Sequence, residues 1–290
     1  MFCKICKSDL QLKYSGVSDI NFKMTKDIFD WYECKVCSSL QIMSRSKEEN
    51  LDKYYDNYIP HKGGVKKRKL GRVSNLSIIV DQIEKFSKSG KFSLIDIGCG
   101  SGSVLYNLRL LYPDSNLCGV DYNIEESEKN LATSSVELFQ GELDSIPKNI
   151  KFDFIINSQL LEHIDSPETY RSFLCRHSHV STVVVLDIPN ISSTSYKFFG
   201  KYWVHLDTPR HRVHYTVDSI KILLDNFLLK EKRFFGDNYA YTSSLKNKFN
   251  ISLQSGGIVV RLVERFIVEI SRLFLKVDDK VSFTFVGKER

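Results

Sequence analysis

The chain has 290 residues, with 41 lysines and arginines against 35 aspartates and glutamates, a net charge of +6. Hydrophobic residues make up 42% and charged residues 26%, an ordinary balance for one large folded domain plus something small. A surplus of positive charge this mild favours anionic partners but does not by itself call for nucleic acid. No window reaches roughly 18 uncharged apolar residues, which excludes an apolar transmembrane helix.

Met1-Phe2-Cys3-Lys4 lacks the apolar stretch of a secretory signal, so a cytoplasmic, reducing location is expected. There, paired cysteines hold metal more often than they form disulfides. Residues 1–45 carry Cys3-x-x-Cys6 and Cys34-x-x-Cys37. Each knuckle turns tightly enough to bring two thiolates to one ion at roughly 2.3 Å. So short a segment buries little apolar surface, and a bound metal supplies the missing folding energy. The expectation is a zinc ribbon with a structural zinc ion, because four thiolates leave no open coordination position. Four unrelated thiols are the alternative. Cys99, Cys118 and Cys175 are expected to be buried thiols.

Residues 46–75 are polar and basic and read as a linker and helix start. From residue 76 to the end, strands alternate with helices. Leu76, Ile79, Val80, Ile83 and Phe86 fall at helical spacing. Buried strands are expected at Phe92–Gly98, Asn116–Tyr122, Val136–Gly141, Phe152–Ser158 and Ser181–Pro189, with helices near 103–112, 124–133 and 166–177. This alternation implies an α/β fold, a parallel sheet with helices on both faces. Residues 190–215, rich in aromatics, histidine and serine, break the alternation as an insertion. A helix capped by Thr216 follows, then a strand at Leu228–Gly236. Residues 237–279 read as a second, helical insertion. The alternating tail Val281–Val286 makes a last strand.

The run Leu94-Ile95-Asp96-Ile97-Gly98-Cys99-Gly100-Ser101-Gly102 is an apolar strand entering a glycine bend. Glycines there allow a sharp turn and close approach of a ligand to the main chain. Ser103 stands where a dinucleotide fingerprint has its third glycine. Asp96, two residues before the first glycine, would repel a pyrophosphate but suits a ligand with an ammonium group. Asp121 ends the next strand, with Tyr122 beside it, where an acid can accept bonds from two ribose hydroxyls. A ligand-free turn and an NAD site are the competing explanations of the glycine bend.

These residues resemble motif I and the motif II acid of class I S-adenosylmethionine-dependent methyltransferases. Gly141-Glu142-Leu143 matches the place where that family contacts adenine. Phe152–Gln159, ending in Ser158-Gln159, is similar to motif IV. Leu161-Glu162-His163-Ile164 matches the ubiquinone-type branch. The resemblance covers residues 76–236 and the last strand. It implies a Rossmann-like, seven-stranded methyltransferase sheet and S-adenosylmethionine as cofactor. The cofactor would be bound by Asp96, Gly98, Cys99, Gly100, Gly102, Asp121, Tyr122, Glu142, Leu143, Ser158 and Gln159.

Tyr202-Trp203-Val204-His205-Leu206-Asp207-Thr208-Pro209-Arg210-His211 is similar to a segment of bacterial methyltransferases associated with surface polysaccharides or secondary-metabolite sugars. It implies a small-molecule acceptor, with a sugar, nucleotide-sugar or glycan favoured. Methyl transfer is an in-line displacement at a sulfonium carbon, in which orientation alone contributes roughly 7–11 kcal/mol. A hydroxyl or carbon nucleophile also needs a base, and histidine suits it. His205 or His211 is the expected base, with Arg210 holding an anionic part of the acceptor. Against this stands a purely internal network of Asp207, Arg210 and His211. His163 is a further candidate, set against a packing or capping role at a helix start.

Two weaker signals bear on partners. Lys62–Arg72 is strongly basic and meets phosphates in one reading, solvent in the other. Residues 258–275 form an amphipathic pattern that suits a membrane surface, a partner or the protein's own core. The competing functions are an RNA methyltransferase, in which ribbon and basic linker grip phosphates, and a non-catalytic scaffold binding S-adenosylmethionine.

Overall fold

The structure is a computed structural model and describes residues 1–44, 52–54, 74–87, 90–236, 238–249 and 278–288. The basic run at 62–72 and the amphipathic pattern at 258–275 lie outside the described residues. Two compact units emerge. One comprises the described residues within Met1–Tyr58, Pro189–Ile220 and Phe234–Val281, the other those within Ile59–Ile188, Lys221–Arg233 and Ser282–Arg290.

The second unit holds most of the expected alternation. In chain order it contains α1 (Asn75–Phe86), β4 (Ser93–Ile97), α2 (Ser103–Leu111), β5 (Asn116–Asp121), α3 (Glu125–Leu131), β6 (Val136–Gln140), β7 (Phe154–Ser158) and α4 (Pro167–His177), and all but one or two residues of β8 (Val183–Pro189), β10 (Phe227–Phe235) and β11 (Lys280–Gly287). Each apolar run identified in the sequence is a strand, trimmed by a residue or two. Helix α1 starts where Ser74 and Ser77 exchange side-chain and backbone bonds as a capping box, and it buries Leu76, Ile79, Val80 and Ile83. Pro167 opens α4, where its missing N–H costs nothing.

The sheet order is β10-β11-β8-β7-β4-β5-β6, the expected seven-stranded Rossmann-like methyltransferase sheet with flanking helices. The pairs β4/β5, β4/β7, β5/β6 and β7/β8 are parallel. Leu94, Ile95, Ile155, Ile156, Val184 and Leu186 are fully buried, as a parallel sheet covered on both faces requires. Chain order reverses at β4, where successive crossovers run to opposite sides. Ligands sit outside the carboxyl ends of the strands at such a point.

The first unit contains a second sheet, β1 (Leu10–Val17), β2 (Phe29–Cys34), β3 (Leu40–Ser44) and β9 (Val213–His214), in the order β1-β2-β3-β9. All its pairs are antiparallel. It also holds α5 (Thr194–Phe199) and α7 (Asn238–Phe249). Helix α6 (Val217–Leu223) begins here, and Thr216 caps it as expected, its Oγ1 accepting the Ser219 N–H at 3.1 Å. The four-cysteine segment therefore does not stand alone as residues 1–45. Its third strand pairs with β9, and Trp31, Leu40 and Ile42 share one apolar cluster with Phe199, Trp203 and Leu206. Among the described residues no helix is long and apolar enough to cross a membrane.

Candidate cofactor and metal sites

At the carboxyl end of β4 the chain turns through Gly98, Cys99 and Gly100 into α2, whose N-cap is Gly102. Gly98 has φ +75°, and a Cβ there would stand 3.0 Å from the Leu160 side chain. Gly100 has φ +52° and open space where a Cβ would lie. The bend thus exposes main chain at a spot a side chain would occupy. Cys99 is buried, and burial together with Asp96 and Asp121 pushes its thiol far up, so it is a packing thiol and not a nucleophile.

Asp121 ends β5 and accepts the Gly100 backbone N–H through Oδ2 at 2.8 Å. Tyr122 beside it is 72% exposed. The Gly141 N–H bonds the Asp121 carbonyl at 2.9 Å, which brings the turn at Glu142 and Leu143 next to the end of β5. Asp96 is buried one pleat below Gly98. Burial, then the charges of Asp121 and Asp187, push its carboxyl up to about 8. Ser158 ends β7 and donates to Asp187 Oδ2 at 3.1 Å. Gln159 follows with φ +57°, a rare conformation for a residue with a side chain, and its N–H bonds the Asp187 carbonyl at 2.9 Å. The fold therefore brings the sequence-derived residues of β4, β5, β6 and β7 to one edge of one sheet. The residue missed is Asp187; the signal was a single acid inside the apolar run Val183–Pro189.

In the first unit, Cys3, Cys6, Cys34 and Cys37 place their sulfurs within 4.8 Å of one another. Cys3 and Cys37 are 3.6 Å apart, Cys6 and Cys34 3.4 Å. Four thiolates at roughly 2.3 Å from one tetrahedral ion would stand about 3.8 Å apart, so the set fits zinc. Buried Gln41, on β3, donates to Cys3 Sγ at 2.9 Å while its Oε1 accepts the Lys4 N–H at 3.0 Å. A hydrogen bond with Cys37 outweighs burial and holds the Cys3 thiol far below its usual range, with backbone N–H groups and Ser39 adding to it. Gln41 and Ser39 were not singled out in the sequence. Cys118 is buried as expected, whereas Cys175 on α4 is only half-buried, its sulfur facing Asn226 Nδ2 at 3.3 Å.

The segment after β8 is built from the inside. Arg210 is 1% exposed. It donates to Asp19 from Nη1 and Nη2 at 3.1 and 2.8 Å, and to Asp207 from Nε and Nη2 at 3.1 and 2.8 Å. The Phe22 ring covers it, 4.3 Å from the guanidinium carbon. Burial alone would raise the Asp19 carboxyl, but Arg210 and the Met24 N–H hold it below its usual range. Both forks of the guanidinium are thus engaged internally, the alternative weighed against acceptor binding. His211 is buried, with Nδ1 2.7 Å from the His205 carbonyl. A carbonyl can only accept, so that contact places a proton on Nδ1. Burial, with Lys280 and His214, pushes His205 down to about 3. His163 ends the short turn Leu161–His163 after β7.

A doubly wound sheet with a parallel centre, a glycine bend at its switch point and an acid on the neighbouring strand is the architecture of a nucleoside-binding α/β protein. A family model described as a methyltransferase domain matches residues 67–228, and the chain belongs to that family. It is a class I S-adenosylmethionine-dependent methyltransferase. Among solved structures, the YcgJ protein from Bacillus subtilis is 12% identical, with 74% of this chain and 99% of that chain aligned and a TM-score of 0.51. A protein from Galdieria sulphuraria, described as a sarcosine dimethylglycine methyltransferase, is 11% identical over 73% of this chain and 84% of that one, with a TM-score of 0.50. At these identities the likeness is one of fold. No curated protein sequence matches the chain.

Proposed function

We propose that the enzyme methylates a small-molecule acceptor, with a sugar, nucleotide-sugar or glycan as the favoured class. In this reading the cofactor lies across the carboxyl edge of the large sheet. Its ribose hydroxyls bond Asp121, adenine lies by Tyr122, Glu142 and Leu143, and the methionine end lies over Gly98, Cys99, Gly100 and Gly102 near Asp96, Ser158 and Gln159. The sulfonium supplies an already activated methyl group. The chain's own task is to align the acceptor and take its proton.

The observation that carries the acid–base part is the bond between His211 Nδ1 and the His205 carbonyl. It puts a proton on Nδ1 and so supports His211 as the base in this reading, whereas burial makes His205 too weak a base at neutral pH. Arg210, enclosed by Asp19 and Asp207, shapes the segment that presents His211. The preference for a sugar acceptor rests on the likeness of residues 202–211 to polysaccharide-associated methyltransferases. We assign a structural zinc ion to Cys3, Cys6, Cys34 and Cys37, and a cytoplasmic location to the protein.

The test is transfer of a labelled methyl group from S-adenosylmethionine to a panel of nucleotide-sugars and, in parallel, to total RNA. Label on a nucleotide-sugar, reduced roughly 10²–10⁴-fold by His211→Ala, supports the reading. Label confined to RNA, or wild-type turnover in His211→Ala, overturns it.

A further inference from the structure

One further acid faces the carboxyl edge of the large sheet, Asp187. It lies in β8, in which every residue is buried, and is itself 1% exposed. A carboxylate within an apolar strand is costly to bury and needs polar partners, of which Ser158 is one. The strand registers show which way it faces. Asp96 is level with Ile156, and Ile156 with Val185. Side chains two apart on a strand share a face, so Asp187 lies on the same face as Asp96, one pleat nearer the carboxyl edge. On the other flank Asp96 is level with Gly119, which puts Asp121 on that face as well. Ser158, level with Asp187, stands between β4 and β8 and donates to it at 3.1 Å. Asp121 and Asp187 thus bracket the bend at Gly98 from both sides, with Asp96 beneath it.

Strand order gives the bound nucleoside a direction. Asp121, Glu142 and Leu143 belong to the β5 and β6 side, where ribose and adenine are seated. The methionine arm and its sulfonium then extend the opposite way, over β4 and β7 towards β8. We propose that Asp187 is the charge-recognition residue of this site, favouring a cationic centre at the sulfonium position and so holding S-adenosylmethionine more tightly than S-adenosylhomocysteine. The inference rests on the seating given under Proposed function. The site itself follows from the family, not from the acids; the acids decide which charge state it retains. Loss of the methyl group turns a cationic sulfonium into a neutral thioether, and the attraction to Asp187 vanishes at the moment the product should leave.

Calorimetric titration of the full chain with S-adenosylmethionine, S-adenosylhomocysteine and sinefungin, which carries an amine in place of the sulfonium, tests this. Wild type should bind the two cationic ligands at least about tenfold more tightly than the thioether, about 1.4 kcal/mol. Asp187→Asn, which keeps an oxygen for Ser158, should lose most of that preference while its affinity for S-adenosylhomocysteine stays within about threefold. Asp121→Asn should weaken all three ligands alike, since each carries the ribose. Asp187→Ser serves if the amide variant does not fold. Equal wild-type affinity for sulfonium and thioether overturns the proposal without any variant, and so does an equal loss for both ligands in Asp187→Asn. Wild type that takes up none of the three sinks the seating of the nucleoside itself, a distinguishable result.

Discussion

Asp121 Oδ2 accepts the Gly100 N–H at 2.8 Å while Oδ1 accepts that of Asn123 at 3.2 Å. One carboxylate therefore braces the bend after β4 and the turn after β5 at once. The residue proposed to hold the ribose also sets the distance between the two loops that flank it. Asp121→Ala should lower affinity for both S-adenosylmethionine and S-adenosylhomocysteine by roughly 10–100-fold, the range for one hydrogen-bonded charge. Calorimetry with both ligands checks it; unchanged affinity for either would place the ribose elsewhere.

Asp96 makes the ligand-free protein sensitive to pH. Its folded carboxyl keeps its proton up to about 8, whereas an unfolded chain releases it near about 3.9. Between those values the native state binds the extra proton, so this group's contribution to stability falls as pH rises and levels off above about 8. Asp96→Asn removes that slope. Denaturant midpoints of the apoprotein from pH 5 to 8.5 should show wild type losing on the order of 1.4 kcal/mol per pH unit relative to the variant. Parallel curves would contradict the burial argument.

Removal of metal should reach well beyond the cysteines. Strand β3 pairs with β9, the Ile42 N–H bonds the Arg212 carbonyl at 3.1 Å, and Thr216 Oγ1 donates to the Cys37 carbonyl at 2.6 Å. If zinc holds the quartet, a chelator or Cys37→Ser should raise hydrogen exchange at residues 40–44 and at 212–216 together. Metal analysis should give one zinc per chain before treatment. Exchange confined to the two knuckles would show that the ribbon frays independently of β9.

Arg210 tests the difference between a structural and an acceptor-binding cation. Removing one partner of a buried ion pair costs about 3–5 kcal/mol because the remaining charges stay uncompensated. Arg210→Ala leaves Asp19 and Asp207 in that position, so thermal unfolding should move down sharply. Arg210→Lys should not restore it, since an ammonium cannot span both carboxylates as a planar fork does. A variant of normal stability with a raised acceptor KM would favour acceptor binding instead.

Much of the large sheet was legible because its signals are local. Five apolar runs became five strands, and the run from Leu94 to Gly102 placed both the bend and the buried acid beneath it. The cysteine knuckles were equally plain. What escaped was set by pairing between distant segments. Nothing near Val213 announces that it will extend the sheet of Leu40, and Asp19 gives no sign that it closes on a guanidinium far along the chain. For Arg210 the local sequence leaves a ligand contact and an internal network with Asp207 both open, because it cannot reveal the second carboxylate, Asp19. Asp187 was visible as an acid in an apolar strand, but its alignment with Asp96 appears only once the strand registers are known.

The position of β11 has a consequence for biosynthesis. It lies between β8 and β10 although both are made before it. While the ribosome is still adding residues 280–287, the flank of β8 has no neighbour and β10 has nowhere to dock. Until then the nascent sheet offers an open row of amides and carbonyls to any passing strand. Chaperone cover over that interval, or crowding by other unfinished chains, should therefore govern yield more than the final stability does.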